Sequence, residues 1–362
     1  MTLVQSPIRR FFSALTSSNR LRLFVWLSLA TQILIVVTGG LVRLTGSGLG
    51  CPTWPKCTDD SIISTPEMGI HGLIEFGNRL LTFVLLIVAL LTFVTVLRPH
   101  SDRATLTRIT LSFFGFVALF IVGLVFAVRA IDFTAVSLLA ISSIGMLSLA
   151  LIFLLRVRKV EKKSLVGPAF GLGFGIILQA IIGGITVLTQ LNSWIVGLHF
   201  LISGVLISVA SLLVFRALPK PSQQVNQRSQ LLSVPVAFVS VVTIVIGVLV
   251  TGAGPHAGDA STPRNGLDLE VWQHYHSYPG YAMLGLILLQ WLLQLGTSKS
   301  PWTSLPTRVL GILLAVTALQ AVIGVVQSRL GVPELLVAAH MLGAAVLCSL
   351  VTFQYLVLKT KK

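Results

Sequence analysis

Charged residues are scarce in this 362-residue sequence, where Asp, Glu, Lys and Arg together make up only 10%. Soluble domains carry about 25%. Hydrophobic residues make up 54% and the mean hydropathy is +0.92. This composition excludes a soluble enzyme built on a large core and indicates an all-α polytopic membrane protein.

Acidic residues are rarer than basic ones: 11 Asp and Glu stand against 26 Lys and Arg, which gives a net charge of +15. The basic residues lie in short connections between apolar runs and form no separate basic face, which argues against nucleic-acid binding. The basic N-terminus, residues 1–22, precedes an apolar run too long for a signal peptide and without a nearby cleavage site. We therefore expect a cytoplasmic tail followed by the first membrane helix.

About ten membrane helices are predicted, because ten apolar windows approach the roughly 20 residues needed to cross a bilayer. The windows are 23–43, 70–97, 109–130, 133–156, 167–189, 193–216, 232–252, 275–296, 307–329 and 334–357.

The connections between these windows alternate between basic and Lys/Arg-poor, so the basic set and both termini are predicted to be cytoplasmic. The two long polar loops, 44–69 and 253–274, are then expected outside.

Cysteine occurs three times. Cys51 and Cys57 lie in GSGLGCPTWPKC (46–57), on the predicted outer side, where a disulfide persists. A disulfide-closed lid is the favoured prediction, and a zinc site is the weaker alternative because no histidine pair lies nearby. Cys348 lies within an apolar window and is expected to pack.

An internal repeat aligns 178–200 with 319–341, each running from Leu-Gln-Ala to a histidine. Gln179 precedes His199, and Gln320 precedes His340, by the same 20 residues. Self-similarity of this kind is typical of a duplicated unit.

A weaker pair aligns TGSG (45–48) with TGAG (251–254), which makes His276 the predicted repeat partner of His71. The same alignment does not exclude His274 as that partner.

The repeat predicts two four-helix bundles, at 23–216 and 232–357. A linker at 217–231 joins them, and a tail at 358–362 ends the chain. The first unit is longer by the segment 102–165, which we interpret as an inserted helical hairpin.

Four histidines at matching positions within membrane windows predict ligands rather than isolated packing residues, because ionisable groups there are costly and usually functional. Imidazoles on facing helices can bind a haem iron from both sides, and bundle cores hold such cofactors. The predicted pairs are His71 with His199, and His276 with His340. Zinc or copper is the competing metal, but it favours three or four ligands in one compact set.

The halves differ chemically, since only the first has Glu75 and Arg79 beside its histidine. A carboxylate near a cofactor acts as acid, base or electrostatic stabiliser. The alternative is that Glu75 and Arg79 form an ion pair that makes each tolerable in the membrane. Arg43 and Arg329 are candidates to bind propionates. His256 is expected to be a solvated loop residue.

Four motifs in order resemble the haem A synthase family of cytochrome oxidase assembly. They are GGLVRLTGSGLGCPTWPKC (39–57), HGLIEFGNRLL (71–81), LQAIIGGITVLTQLNSWIVGLHF (178–200) and TGAGPHAGD (251–259), and the resemblance leaves out only the hairpin. It implies two pseudosymmetric bundles in a bacterial plasma membrane. It also implies oxidation of the C8 methyl of haem O to a formyl group.

The same resemblance implies that His276 and His340 hold haem b, that His199 is one ligand of the substrate haem, and that Glu75 is catalytic. It implies that Cys51 and Cys57 form a lid over the first site. Asn78 stands where many members have a histidine, which leaves open whether His71 serves as the second ligand.

A non-catalytic electron-transfer cytochrome of the b type is the main alternative, and a transporter built from repeats is a third hypothesis. Haem O synthase is the hypothetical partner that supplies the substrate. The electron donor, the oxygen source and homo-oligomer formation are left open.

Overall fold

The computed structural model describes residues 17–130, 135–157, 163–219, 224–297 and 304–359, together with Ala14 and Val160. Within those ranges the protein is helical and has no strand. Most of the predicted N-terminal tail, the hairpin turn at 131–132 and the residues after Lys359 lie outside the described residues.

Ten long helices and one short helix make up the described chain. Their bounds are α1 Leu21–Leu44, α2 Gly69–Leu97, α3 Arg103–Ala130, α4 Ala135–Arg156, α5 Lys163–Leu188, α6 Ser193–Ala217, α7 Gln227–Leu231, α8 Ser233–Ala253, α9 Leu269–Leu295, α10 Leu305–Arg329 and α11 Glu334–Lys359. The prediction of about ten helices is confirmed.

The start of α9 shows why apolar windows misplace helix ends. The apolar window begins at 275, whereas the helix begins at Leu269, because the carboxylate of Asp268 accepts a hydrogen bond from the backbone N–H of Val271 at 2.9 Å. Such a cap satisfies an otherwise unpaired donor and lets a polar first turn be helical.

Eight segments in the described chain are long and apolar enough to cross a membrane. The hairpin helices contribute the shorter apolar stretches Ala104–Phe120 and Ala140–Arg156. Large apolar side chains are exposed along the helices, as at Leu119 (74%) and Leu147 (72%). A protein with this apolar outer face is a multi-pass membrane protein.

The helices form two rings of four. In the first ring α1, α2, α5 and α6 each pack against two of the others, and in the second α8, α9, α10 and α11 do the same. Consequently α2 lies diagonally opposite α6, and α9 lies diagonally opposite α11. The rings join along a seam where α11 packs on α1 and α6, and α6 also packs on α8.

The hairpin of α3 and α4 packs against the first ring through α2 and α5. Phenylalanines from all four helices meet there, and the rings of Phe153 and Phe170 stack with centroids 3.6 Å apart. Phe93 lies 6.1 Å from Phe113 and 6.2 Å from Phe170 by centroid. Aromatic contacts of this kind hold the hairpin on the bundle.

Both long polar loops lie at one end of the protein, which we call the loop end. The N–H of Gly48 in the first loop donates to the carbonyl of Gly258 in the second at 2.8 Å.

Candidate functional site

One cavity of about 1150 Å³ extends through both rings, and four histidines line it: His199, His274, His276 and His340. It also holds Glu75, Asn78 and Arg79 from α2. The diagonal arrangement of α2 with α6, and of α9 with α11, directs side chains from these helices toward the centre of each ring.

The second ring brings His276 and His340 together. Their imidazole centroids lie 6.1 Å apart with the ring planes at 80°. A metal–imidazole bond is about 2 Å long, so this separation leaves room for one metal ion between the two rings.

Hydrogen bonding leaves the ligand nitrogens of this pair available. The Nδ1 of His276 lies 3.0 Å from the carbonyl oxygen of Thr243, which makes it the donor and leaves Nε2 without its proton. A backbone carbonyl on the second nitrogen is how ligand histidines are usually oriented. The Nδ1 of His340 is buried and has no hydrogen-bond partner among the described residues.

Glycines make room beside both rings. A Cβ at Gly247 would lie 2.8 Å from Cε1 of His276, and one at Gly324 would lie 3.5 Å from Cε1 of His340. The lack of a side chain at Gly247 permits a close approach that other residues would block. The residues present therefore fit a haem with two histidine ligands.

The first ring has only His199 in the equivalent cavity position. Its Nδ1 is buried without a hydrogen-bond partner in the described chain, as at His340. A Cβ at Gly183 would lie 3.6 Å from its Cε1, and Gly183 is the repeat counterpart of Gly324.

The repeated glutamines support these histidine helices, a role that the sequence analysis missed. Gln179 donates through Nε2 to the carbonyl of His199 at 3.0 Å and to the hydroxyl of Ser203. Gln320 lies so close to α11 that a Cβ at Gly343 would be 1.8 Å from its Nε2. The aligned Leu-Gln-Ala motifs were the signal that could have identified them.

His71 is not brought together with His199. Its side chain is exposed, its Nδ1 lies 2.9 Å from the hydroxyl of Ser47, and it is not among the residues that line the cavity. It lies near Asp259 in the second loop. The pKa of the Asp259 carboxyl is lowered mainly by hydrogen bonds from Ser261 and further by the charge of His71.

Asn78 on α2 and His276 on α9 each face a glycine on the preceding helix of their ring. Asn78 lies beside Gly39, and His276 lies beside Gly247. These glycines come five residues before the end of α1 and six before the end of α8. These contacts favour Asn78 over His71 as the counterpart of His276, because the sequence alignment counted from the loop motifs and not from facing helices.

Glu75 and Arg79 form an ion pair one helical turn apart, at 2.5 Å. The other Glu75 oxygen accepts from the backbone N–H of Cys51 at 2.6 Å. Arg79 also donates to the carbonyls of Cys51, Thr53 and Lys56 at 2.9–3.1 Å. The predicted pairing is present, and the pair binds the cysteine loop.

Cys51 and Cys57 form the predicted disulfide, and both are fully buried. Between them Trp54 points down onto α5, where a Cβ at Gly184 would lie 2.6 Å from the indole ring. Trp54 and Pro55 line the cavity together with Glu75. The loop thus covers the first ring at the loop end.

Arg43 joins the two rings at the loop end. It donates through Nη2 to the carbonyl of Thr251 at 2.6 Å and through Nε to the carbonyl of His256. The Nε2 of His256 lies 2.8 Å from the carbonyl oxygen of Val332, so this residue has a structural contact that the sequence did not predict.

Two further residues predicted from the sequence lie at the rim of the cavity. Arg329 is exposed and lines it, as a propionate ligand would need. His274 lines it too, but its side chain is exposed and its Nδ1 bonds the carbonyl of Glu270 in its own helix at 2.7 Å.

A compact multi-ligand metal site receives no support from the described residues. They contain no group of three or more His, Cys, Asp or Glu that could hold a metal ion. The paired histidine in the second ring is a two-ligand arrangement, which suits haem better than zinc or copper.

The sequence matches one family model, COX15-CtaA, described as Cytochrome oxidase assembly protein, over residues 22–125 and 138–352. This match includes most of the hairpin, which corrects the expectation that the hairpin lies outside the resemblance.

Individual relatives match over shorter stretches. A Heme A synthase of Staphylococcus epidermidis is 30% identical over 123 residues, which is 33% of this chain and 37% of that protein. One of Geobacillus kaustophilus is 30% identical over 89 residues, 24% of this chain and 27% of that protein. A Protoheme IX farnesyltransferase of Thermus thermophilus is 35% identical over 81 residues, 22% and 13% respectively.

The chain spans less than two fifths of the length of these relatives in each match. The family match, in contrast, covers most of the sequence and includes six of the eight ring helices completely and most of the first and the last. The chain belongs to the COX15-CtaA family of cytochrome oxidase assembly proteins.

Proposed function

We propose that this protein is a haem A synthase that oxidises the C8 methyl of haem O to a formyl group. The observation that carries the proposal is the difference between the two ends of one cavity. The second ring has a histidine pair suited to a resident haem. The first ring has one cavity-lining histidine and a buried carboxylate.

His276 and His340 would hold haem b, which when bound supplies one-electron chemistry. His199 would hold the iron of the substrate haem. Its Nδ1 has no hydrogen-bond partner among the described residues, so the protein itself leaves the tautomer of this ligand free to adjust. Arg329 at the rim, where it is exposed, would bind a propionate.

Glu75 would stabilise the positive charge that develops as the methyl carbon is oxidised, or accept the proton released there. Arg79 and the N–H of Cys51 hold its two oxygens in fixed directions. This preorganisation is what electrostatic stabilisation requires. The disulfide loop, which covers the first ring at the loop end, would exclude water from the space around Glu75.

His71 stays a prediction as the second ligand of the substrate haem, and its exposed position at Ser47 does not support that role. Asn78 lies on α2, diagonally opposite the helix of His199. The iron of the substrate haem would therefore have one histidine ligand.

Extraction and chromatography of haems from membranes that contain this chain and a source of haem O test the proposal directly. We expect haem A to appear only when the chain is present. Unchanged haem O beside retained haem b, in folded protein supplied with reductant, would contradict it.

A b-type electron-transfer cytochrome is the second candidate, and one observation favours it. Every Glu75 oxygen already accepts a hydrogen bond within the protein, as expected of a purely structural ion pair. Two tightly held haems and no change in haem type would be its result in the same experiment.

Membrane orientation and partner follow from the same proposal. We place both termini in the bacterial cytoplasm and the loop end outside, because the basic connections lie opposite the cysteine loop. Haem O synthase is the proposed supplier, since haem O is apolar and confined to the membrane. Crosslinking of the two proteins in membranes would test a direct transfer.

A further inference from the structure

The hairpin contributes directly to the wall of the cavity. Phe116, Val117 and Phe120 of α3 and Gly145 and Met146 of α4 line it beside the first ring. The second ring has no hairpin in the described chain, so this wall distinguishes one half from the other.

The two hairpin helices approach each other closely at this wall. A Cβ at Gly145 would lie 2.5 Å from Cε2 of Phe120, so the phenyl ring rests on the backbone of α4. Phe116 stacks on Phe120 with centroids 6.2 Å apart. Glycine at 145 therefore permits an aromatic surface to face the cavity.

The wall continues onto α5 and the cysteine loop. Met146 and Ile181 are buried at 7% and 3% exposure, and Trp54 and Phe120 pack against them. We call the space bounded by Trp54, Phe116, Phe120, Met146 and Ile181 the hairpin pocket. All five residues are apolar or aromatic, whereas the polar groups Glu75, Asn78 and Arg79 lie on α2.

We propose that the hairpin pocket binds the farnesyl-derived chain of the substrate haem. This inference rests on the proposed function and names the part of the substrate that the hairpin recognises. A branched hydrocarbon chain offers no hydrogen bonds along most of its length, so apolar walls are what bind it.

The asymmetry between the rings supports the assignment. Haem O carries such a chain, and haem b does not. The ring proposed to bind haem O has the hairpin, whereas among the described elements the ring proposed to hold haem b has its four helices and α7. The hairpin pocket thus lies where the two haems differ.

Haem titration of the full-length protein in lipid nanodiscs tests the proposal. Phe120→Ala is compared with Leu119→Ala, its neighbour on the same helix, whose side chain is 74% exposed. Haem O and protohaem IX are each added to protein whose resident haem is already bound, and affinity is read from the Soret band.

We expect Phe120→Ala to weaken haem O binding by about tenfold, as for other losses of apolar contact in a binding pocket. Protohaem IX binding should change by less than about twofold, because it has no chain to lose contact. Leu119→Ala should leave both affinities unchanged. Val117→Trp, which adds an indole ring to the cavity wall beside the hairpin pocket, should also weaken haem O binding selectively. This variant keeps the test decisive if Phe120→Ala does not fold.

Equal weakening of both haems would overturn the proposal, because these residues would then hold the macrocycle. Unchanged haem O affinity in folded variants would also overturn it. Tighter binding of haem O than of protohaem IX without conversion would remove the proposed function and leave the pocket. Full conversion of haem O to haem A, with no change of haem selectivity in the variants, would support the proposed function and remove the hairpin pocket as the binding site of the chain.

Discussion

Arg79 lies one helical turn after Glu75, and its Nη2 donates to Glu75 Oε1 at 2.5 Å while also donating to the carbonyl of Cys51 at 2.9 Å. One guanidinium therefore fixes both the carboxylate and the loop above it. Breaking a buried pair by removing one partner is strongly destabilising, since the other charge is left uncompensated. A variant of Glu75 must therefore keep a side chain that can still accept a hydrogen bond from Arg79.

Glu75→Gln should abolish most conversion of haem O to haem A, because the amide keeps the size and some hydrogen bonds but loses the negative charge. We expect a loss of about 100-fold or more, the scale of general acid–base contributions. Haem chromatography measures the product, and the Soret band shows whether haem b is retained.

Glu67→Gln is the matched control, because Glu67 lies on the same loop end and is exposed. Full activity of the Glu75→Gln variant would remove the catalytic assignment and leave the pair with Arg79 as a structural contact.

His340→Ala should abolish the bis-histidine haem spectrum, because it removes one of the two rings that lie 6.1 Å apart. His276→Ala should do the same. The control is His274→Ala, two residues away, whose ring is exposed and bonds its own helix. Loss of the spectrum in the His274 variant would show that the ligand on α9 has been misassigned.

Asn78→His should convert the substrate haem from one histidine ligand to two, because Asn78 lies at the level of His276 in the other ring. A low-spin signal in electron paramagnetic resonance of haem-O-loaded protein measures this change. His71→Ala should leave the spectrum of the unmodified site unchanged. A lost ligand in that variant would restore His71 as the second axial residue.

Cys51→Ser should lower the stability of the protein by about 2 kcal/mol, the scale of the loop-closure entropy for so short a loop. The thermal midpoint in detergent measures the change, with reducing agent on the unsubstituted protein expected to reproduce it. Cys348→Ser is the control, since that thiol is outside the loop. If Cys51→Ser, Cys348→Ser and the reduced protein all had the midpoint of the untreated protein, the hydrogen bonds from Arg79 would be sufficient to hold the loop.

The helices, the disulfide and the histidine pair of the second ring could be predicted because each leaves a local pattern: apolar length, cysteine spacing and a repeat. The positions of His71 and Asn78 could not, because they depend on which residues face a neighbouring helix. Asn78 lies seven residues after His71 on the same helix, and the loop motifs used for the alignment do not detect that difference. Arg43 was predicted as a propionate ligand from its charge, whereas its use of two backbone carbonyls depends on how the distant loop folds.

The hairpin shows a second limit of the sequence. Its apolar composition identified it as membrane-embedded, but nothing local indicated that Phe120 would face a cavity shared with Trp54. That contact joins segments more than 60 residues apart in the chain and arises only once α4 packs on α5.

The seam between the rings brings two candidate haem-binding helices into direct contact. His199 stands on α6 and His340 on α11, and these two helices pack directly against each other. If each ring holds a haem as proposed, an electron passing between the two haems would cross a single helix–helix contact. The hairpin packs on α2 and α5, away from this helix pair, so substitutions in the hairpin pocket would leave the contact between the two proposed haem sites unchanged.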